Sequence, residues 1–420
     1  MVKMKDSGIE WIGEIPASWE VIKGKYLFTQ RSSKGNKLSL TLLSPTQKYG
    51  VIPQSMYEEL TGMKPVKIDQ QKDLNLFKTI HKGDFCISLR SFEGGFEYSN
   101  YEGVVSPAYQ VFYLIDNNSI DTYYKYLFKD KTFIDKMNSY TMSLRDGKNI
   151  SFNDFGNTYI TVPPKSEQQQ IADFLDHKTA EIDGLIDKIN TEIDTLKQYQ
   201  SSVITQAVTK GLDPNVPMKD SGIEWIGEIP ETWKMVKIKH LVNTVNLKDK
   251  LSNLNGRYIG LENAEKGTGK LIMTETTYPD EIYKICKKGN VLYSKLRPNL
   301  AKVLIAPFDS CCTSEFEVLN TFNNRWIKYC LLSNGITEMT TAATYGVKMP
   351  RVNWEEVSNY KIPVPKNDEI EFINNYIDSK MLTVDNLIKQ KQQQINQLTE
   401  YKNSLIFEYV TGKKQVKEAN

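Results

Sequence analysis

Residues 166–211 read SEQQQIADFLDHKTAEIDGLIDKINTEIDTLKQYQSSVITQAVTKG, and residues 368–412 read DEIEFINNYIDSKMLTVDNLIKQKQQQINQLTEYKNSLIFEYVTG. The two stretches align at a constant offset of 202 residues, without a gap from Ile160/Ile362 to Thr209/Thr411. Matched pairs include Leu175/Ile377, Asp176/Asp378, Leu185/Leu387, Ile193/Ile395, Leu196/Leu398, Tyr199/Tyr401 and Val208/Val410. In the first copy Ile182, Ile186, Ile189, Ile193, Leu196, Val203 and Ala207 advance by three and four, broken only by Gln200. That is the spacing of a coiled-coil seam. Pro163 and Pro164 close an extended segment, Ser166 with Gln169 reads as a capping box, and Gly211 and Gly412 supply the stops. Residues 167–208 as one helix extend ~63 Å, too far for the interior of a small domain. The expectation is a spacer helix written twice, each copy burying the other's seam.

The repeat reaches beyond the helix. Residues 4–16 read MKDSGIEWIGEIP, and residues 218–230 repeat the same letters. Trp19/Trp233 and Lys23/Lys237 continue the match at offset 214; the offset is 206 at Lys82-Gly83-Asp84 against Lys288-Gly289-Asn290. The chain is therefore two half-units with matching edges and divergent centres. Candidate strands are 84–89, 109–115 and 159–162 in the first half, and 291–294, 302–306, 315–319 and 360–364 in the second. Short helices are expected at 121–138 and 324–333, and a linker at Asp213-Pro214-Asn215-Val216-Pro217. Two equal helices, each leaving its own body, pair most simply antiparallel, which brings the N-terminal edge motif to the C-terminal helix. The fold class expected is α+β: two pseudo-symmetric α/β domains joined by two long antiparallel helices forming a coiled coil. The expected divisions are 1–165, 166–212, 213–365, 366–413 and a tail, 414–420.

A length of 420 residues implies two or more domains, and 40% apolar with 25% charged residues is ordinary globular composition. The polar start after Met1 argues against a signal peptide, and no apolar run approaches the ~20 residues of a membrane span. Cys86, Cys286, Cys311, Cys312 and Cys330 show no CxxC spacing, which points to buried, reduced thiols and a cytoplasmic protein. With only His81, His177 and His240, and those scattered, no zinc site is expected. A net charge of +2 neither announces nor excludes a nucleic-acid partner, since what matters is where the charge sits.

Catalytic signatures are missing from the sequence. No Gly-rich phosphate loop opens a helix. Val162-Pro163-Pro164-Lys165 has the prolines of an adenine-methyltransferase turn without its polar residue or aromatic. Pro279-Asp280 begins like a nuclease carboxylate motif, but no Glu-x-Lys follows at the proper distance. What the divergent centres do carry is recognition chemistry. The first holds Arg90, Phe92, Tyr98, Asn100 and Tyr101 around Gly94 and Gly95, then Arg145, Lys148 and Asn149. The second holds Lys295, Arg297, Asn299 and Lys302, then Tyr345, Lys348 and Arg351 around Gly346. Arginine and lysine pair with guanine edges or phosphates, and asparagine with adenine. For any one of these residues a solvated surface cation is the plainer reading. The pattern carries more, because cations and amides recur at matching places in both halves.

The doubled motif MKDSGIEWIGEIP with its following tryptophan, the PPKSEQQQIA entry at 163–172 and the two-half layout resemble the specificity subunit of type I restriction–modification enzymes, over essentially the whole chain. The second junction, Pro365-Lys366-Asn367-Asp368-Glu369-Ile370, keeps the acid but lacks the glutamine after it. The resemblance implies that the divergent centres are target-recognition domains, each reading one half of a bipartite double-stranded DNA site. It implies that the chain is itself non-catalytic and binds no cofactor. Two modification subunits would bring S-adenosylmethionine and adenine N6-methylation, and two restriction subunits ATP- and Mg-dependent translocation and cleavage. The DNA-binding residues expected are Arg90, Phe92, Tyr98, Arg145, Lys148, Asn149, Lys295, Arg297, Asn299, Tyr345, Lys348 and Arg351. Of these, Arg90 and Arg297 are expected at base edges, and Lys148, Lys348 and Arg351 at phosphates. By helical rise the seam spans ~39 Å, close to one DNA turn of ~34–36 Å. Trp11, Ile12 and Ile15, with Trp225, Ile226 and Ile229, are expected to wait exposed for a partner. The competing readings are a coiled-coil adaptor without DNA readout and a stand-alone enzyme, an adenine methyltransferase or a nuclease; for the heptads alone, the alternative is homodimerisation through an intermolecular coiled coil.

Overall fold

The computed structural model describes residues 3–34, 41–63, 76–88, 95–140, 150–321, 323–346 and 348–416. It resolves into two compact units, Met1–Asp187 with Gln394–Asn420, and Lys188–Gln393. Two long helices, Lys165–Lys210 and Asn367–Val410, contribute to both units. Their pairing is antiparallel within each: Lys402 meets Asp183 in the first unit, and Lys391 meets Glu192 in the second. The seam falls where the heptads place it. Ile182, Ile193, Val203 and Ala207 are buried, with Ile186, Ile189 and Leu196 half-buried between them. The first helix begins at Lys165, which puts Ser166 inside its first turn. Gln169 donates to Asp173 one turn on, so the expected capping box gives way to an intrahelical bond.

Each unit is built on a four-stranded antiparallel sheet of the same order. In the first unit the order is Phe28–Gln30, Tyr109–Leu114, Phe85–Ser88, Glu97–Tyr98. In the second it is Asn243–Thr244, Phe316–Asn320, Val291–Ser294, Val303–Ile305. The turn before the third strand is also repeated. Asp84 Oδ2 accepts from the His81 N–H at 2.8 Å, and Asn290 Oδ1 from the Lys287 N–H at 2.8 Å. The helix expected over 121–138 is two, Asp121–Leu127 and Lys131–Ser139. The break arises at Asp130, whose carboxylate accepts from the Thr132 and Phe133 amides and so caps a new helix.

The repeated edge motif is a hairpin. Met4–Asp6 pairs with Glu14–Pro16, and Met218–Asp220 with Glu228–Pro230, in the same register. Trp19 and Trp233, just beyond, are fully buried. The Trp19 Nε1–H donates to Glu167 at 2.9 Å and the Trp233 Nε1–H to Glu369 at 2.9 Å, so each tryptophan ties its hairpin to the first turn of a long helix. The end of the other long helix packs on the same ring. Gly412 (φ +71°) and Gly211 (φ +72°) take left-handed backbone there. A Cβ at Gly412 would fall 2.3 Å from Pro16 Cδ, and one at Gly211 3.2 Å from Trp233. The N-terminal hairpin therefore meets the C-terminal helix, as the pseudo-symmetry requires. The edge isoleucines do not wait for a partner. Ile12, Ile15, Ile226 and Ile229 are buried in their own units, and Trp11 lies edge-on against Phe133. Each hairpin is short, so its apolar side chains find cover beneath it. All five cysteines are buried and unbridged. Among the described residues no helix is long and apolar enough to cross a membrane.

Candidate nucleic-acid interface

In the second unit several of the residues expected to bind DNA come together beyond the end of one interior strand of the sheet. The buried strand Val291–Ser294 runs out into Lys295, Leu296 and Arg297. Arg297 adopts a left-handed backbone (φ +50°), followed by a single turn over Pro298–Leu300 and then Ala301, also left-handed (φ +42°). Such conformations cost a non-glycine residue about 1 kcal/mol or more and persist only where the surroundings dictate them. Here the surroundings are the segment 345–352. The Arg297 N–H donates to Pro350 O (2.7 Å) and the Val352 N–H to Lys295 O (3.0 Å). Tyr345 and Arg351 exchange both backbone bonds, at 2.9 and 3.0 Å. Two stretches some fifty residues apart thus form one surface.

Within that surface the side chains divide. Lys295 Nζ lies 3.1 Å from Glu317, which also takes Lys284 at 3.3 Å. Arg351 grips Glu315 through two nitrogens, at 2.7 and 3.2 Å. Both cations, though expected to face DNA, are held by acids and shape the loop; for Arg351 this corrects the expectation of a free phosphate-binding group. Arg297, Asn299, Tyr345 and Lys348 are exposed. Lys302, set beside them in sequence, turns back to donate to Leu261 O at 2.6 Å.

Only seven of the 53 basic residues are arginines, so the use of each is informative. Arg31 forms a two-bond pair with Asp84, and Arg257 covers Phe308. Arg325 pairs with Glu371 and Asp378, and Arg351 with Glu315. Among the described arginines, Arg297 alone has no acid or ring against it. Its guanidinium is exposed.

In the first unit Arg90, Phe92, Arg145, Lys148 and Asn149 lie outside the described residues. Tyr98 does not serve as a reader. It is buried at the sheet edge, and its hydroxyl donates to Asp121 at 2.8 Å. Burial, then the Asp121 carboxylate, pushes the phenol well above its ordinary range. Alternation explains the error: Tyr98 follows the chain's turn inward, where the sheet face needs an aromatic. Tyr101 is half-buried and its hydroxyl meets Met56, whereas Asn100 is exposed.

Beside Tyr98, Glu97 is buried with Lys129 2.7 Å away. Burial raises this carboxyl to about 7, against the opposing pull of Lys129. Sequence reading also missed Glu315 and Glu317. The stretch EFE at 315–317 offered a signal, two acids on one side of a strand and phenylalanine on the other. Asp280, whose sequence begins like a nuclease motif, accepts the Ser252 N–H at 2.8 Å and so caps the single turn Leu251–Leu254. Among the described residues no group of His, Cys, Asp and Glu could hold a metal ion.

Residues 16–195 and 230–400 match the family model of the type I restriction modification DNA specificity domain. The chain is 25% identical to the type I restriction enzyme MjaVIII specificity subunit of Methanocaldococcus jannaschii, across 97% of this chain and 95% of that protein. It is also 25% identical to the EcoDI specificity subunit of Escherichia coli, over 57% of this chain and 60% of that one. Among solved structures, a chain from work on complex assembly and conformational transition of the type I R-M system superposes with a TM-score of 0.63 at 12% identity. The match covers 94% of this chain and 98% of that one.

Proposed function

The chain belongs to the type I restriction–modification specificity-subunit family, and from that premise we propose that it reads a bipartite site in double-stranded DNA, one half-site per unit. The observation that carries this is Arg297, an exposed arginine without an internal partner, held on constrained backbone in the divergent part of the second unit. In this reading Arg297 contacts a base edge, Asn299 and Tyr345 flank it, and Lys348 neutralises phosphate. Arg90, Phe92, Arg145, Lys148 and Asn149 take the corresponding work in the first unit. The long helices set the unread gap between half-sites.

The chain performs no chemistry of its own in this proposal. It assembles two modification subunits, which supply S-adenosylmethionine-dependent adenine N6-methylation, and two restriction subunits, which supply ATP- and Mg-dependent cleavage. A repeated surface feature supports two equivalent partners. Leu185 and Leu387 are matched positions and are 44% and 42% exposed; Tyr199 and Tyr401 are matched and are 47% and 57% exposed. Large apolar side chains left open at the same places on both helices fit a surface that another chain covers.

The test is base-resolution mapping of N6-methyladenine in DNA exposed to the chain with its modification partner. Two short defined sequences separated by a fixed gap are expected. A single contiguous motif would reject the two-reader proposal, and a stable complex that methylates nothing would favour an adaptor.

A further inference from the structure

The two units place the same acid in the helix seam and neutralise it in different ways. In the first, Lys402 Nζ sits 2.7 and 2.6 Å from the two oxygens of Asp183. The matched acid in the second is Asp385, and the residue matched to Lys402 is Gln200, which donates to Asp385 Oδ1 at 2.7 Å. An amide satisfies the hydrogen bond but brings no charge. The charge comes from outside the helices: Lys270 Nζ lies 2.5 Å from Asp385 Oδ1.

Lys270 belongs to the second unit's divergent centre. It closes a tight turn in which the Glu265 N–H donates to Lys270 O at 3.0 Å and Ala264 bridges Leu271. The same turn is fastened to the loop that presents Arg297. The Gly267 N–H donates to Ala301 O at 3.2 Å, and Lys302 Nζ to Leu261 O at 2.6 Å. Ala301 is the left-handed residue that ends the segment Arg297 begins. Polar bonds and the short backbone of the turn together therefore connect Asp385 on the helix, through Lys270, to the Arg297 loop. The nearest counterpart among the described residues of the first unit is Lys48, which is near Asp183 but pairs with Asp187 only at 4.0 Å, with both side chains about two-thirds exposed.

We propose that Lys270 is a positioning residue that seats the Arg297 loop of the second unit on its helices, and so sharpens reading of the second half-site alone. The inference rests on the two-reader function proposed above. The Lys270 side chain is 44% exposed and that of Asp385 22%, and ion pairs this open contribute little to stability. Its effect is therefore expected in geometry rather than in folding.

The experiment uses the full chain with its modification partner and the same methylation mapping, on wild type, Lys270→Met, Lys270→Arg, Gln200→Lys and Lys270→Met with Gln200→Lys. The half-site relaxed by Arg297→Ala identifies the one read by the second unit. Lys270→Met is expected to raise methylation at single mismatches in that half-site by about three- to five-fold, the scale of one partly exposed ion pair, with the other half-site unchanged. Lys270→Arg should restore selectivity. The double variant returns a cation to Asp385 from the helix itself, yet should stay relaxed. Unchanged selectivity in Lys270→Met overturns the proposal, as does equal relaxation of both half-sites. Recovery in the double variant would also overturn it, because Lys270 would then act only by neutralising Asp385. A wild-type complex without a two-part site rejects the functional reading itself, before any variant is compared.

Discussion

The same frame encloses two different interiors. Both units use an edge hairpin, a buried tryptophan bonded to a helix-first-turn glutamate, and a short helix docked on a matched aspartate of the long helix. Lys125 and Tyr126 take Asp176 in the first unit; Arg325 and Tyr329 take Asp378 in the second. Inside, the first unit packs Phe28, Phe85, Phe96, Phe112, Phe128 and Phe155 against one another. The second fills the matching space with Val291, Val303, Leu319, Trp326 and Cys330. Sheet order survives this exchange, so topology here follows from the frame and from strand patterning rather than from particular core residues. The frame leaves the divergent loops free to change, and those loops are where recognition is proposed.

The first way to test that comparison is to break the frame on each side. Trp19→Ala and Trp233→Ala each remove a fully buried indole and leave a glutamate without its donor. Each should cost about 3–5 kcal/mol in urea unfolding. Equal losses mean the frame does the same work twice; a loss below about 1 kcal/mol on either side would show that one copy is dispensable.

The second contrast is electrostatic and belongs to the first unit alone. Glu97 corresponds at offset 206 to Val303, which carries no charge. Burial raises Glu97 from an ordinary 4.5 to about 7. Between those values the folded chain holds a proton that the unfolded chain has released, so stability falls as pH rises through that window. The contribution is present below about pH 4.5 and lost above about 7. Glu97→Gln should flatten this slope in the first unit by roughly 1–3 kcal/mol across the window and leave the second unchanged. A slope that survives the substitution would assign it to another group.

The third is at the interface. Arg297→Ala should lose about 1–3 kcal/mol of discrimination at one base of one half-site. Uniform weakening on all sequences would make Arg297 a phosphate contact instead.

What sequence could disclose of all this follows the range of the interactions. The helices, their stops and the antiparallel pairing were legible because heptad spacing and a gapless repeat are local and redundant signals. Strands at 159–162 and 291–294 were legible from their β-branched and aromatic runs. The edge hairpins and the second unit's additional sheet, Lys248–Lys250, Ile282–Cys286, Ser310–Cys312 and Tyr258–Ile259, were not, since their strands are short and lack alternation. At the candidate site the sequence shows residue types but hides their allegiances. Arg297 and Arg351 look alike in sequence; only folding shows that Glu315 claims one and leaves the other free. The junction after the prolines shows the same limit. Gln168 accepts from the Ile120 N–H and donates to Pro163 O, while its counterpart Ile370 is simply buried. The acid before it, Glu167 or Glu369, makes the same tryptophan bond in both units.

The smallest expected effect is the most discriminating about the seam. Lys402→Gln would give the first unit the amide that the second already has at Gln200, with only the exposed Lys48, among the described lysines of its centre, near Asp183. Asp183 would keep a hydrogen-bond partner and lose its cation. Because the pair is partly exposed, the cost should be at most about 1 kcal/mol, read as a small fall in the first unit's urea midpoint that shrinks in high salt. Gln200→Lys should gain less than this, because Lys270 already faces Asp385 and a second cation there meets like charge. If the two substitutions prove equal and opposite, the seam treats both positions alike and Lys270 adds nothing to it. An unequal result, with the larger change in the first unit, shows that the second unit has handed part of its seam chemistry to a loop.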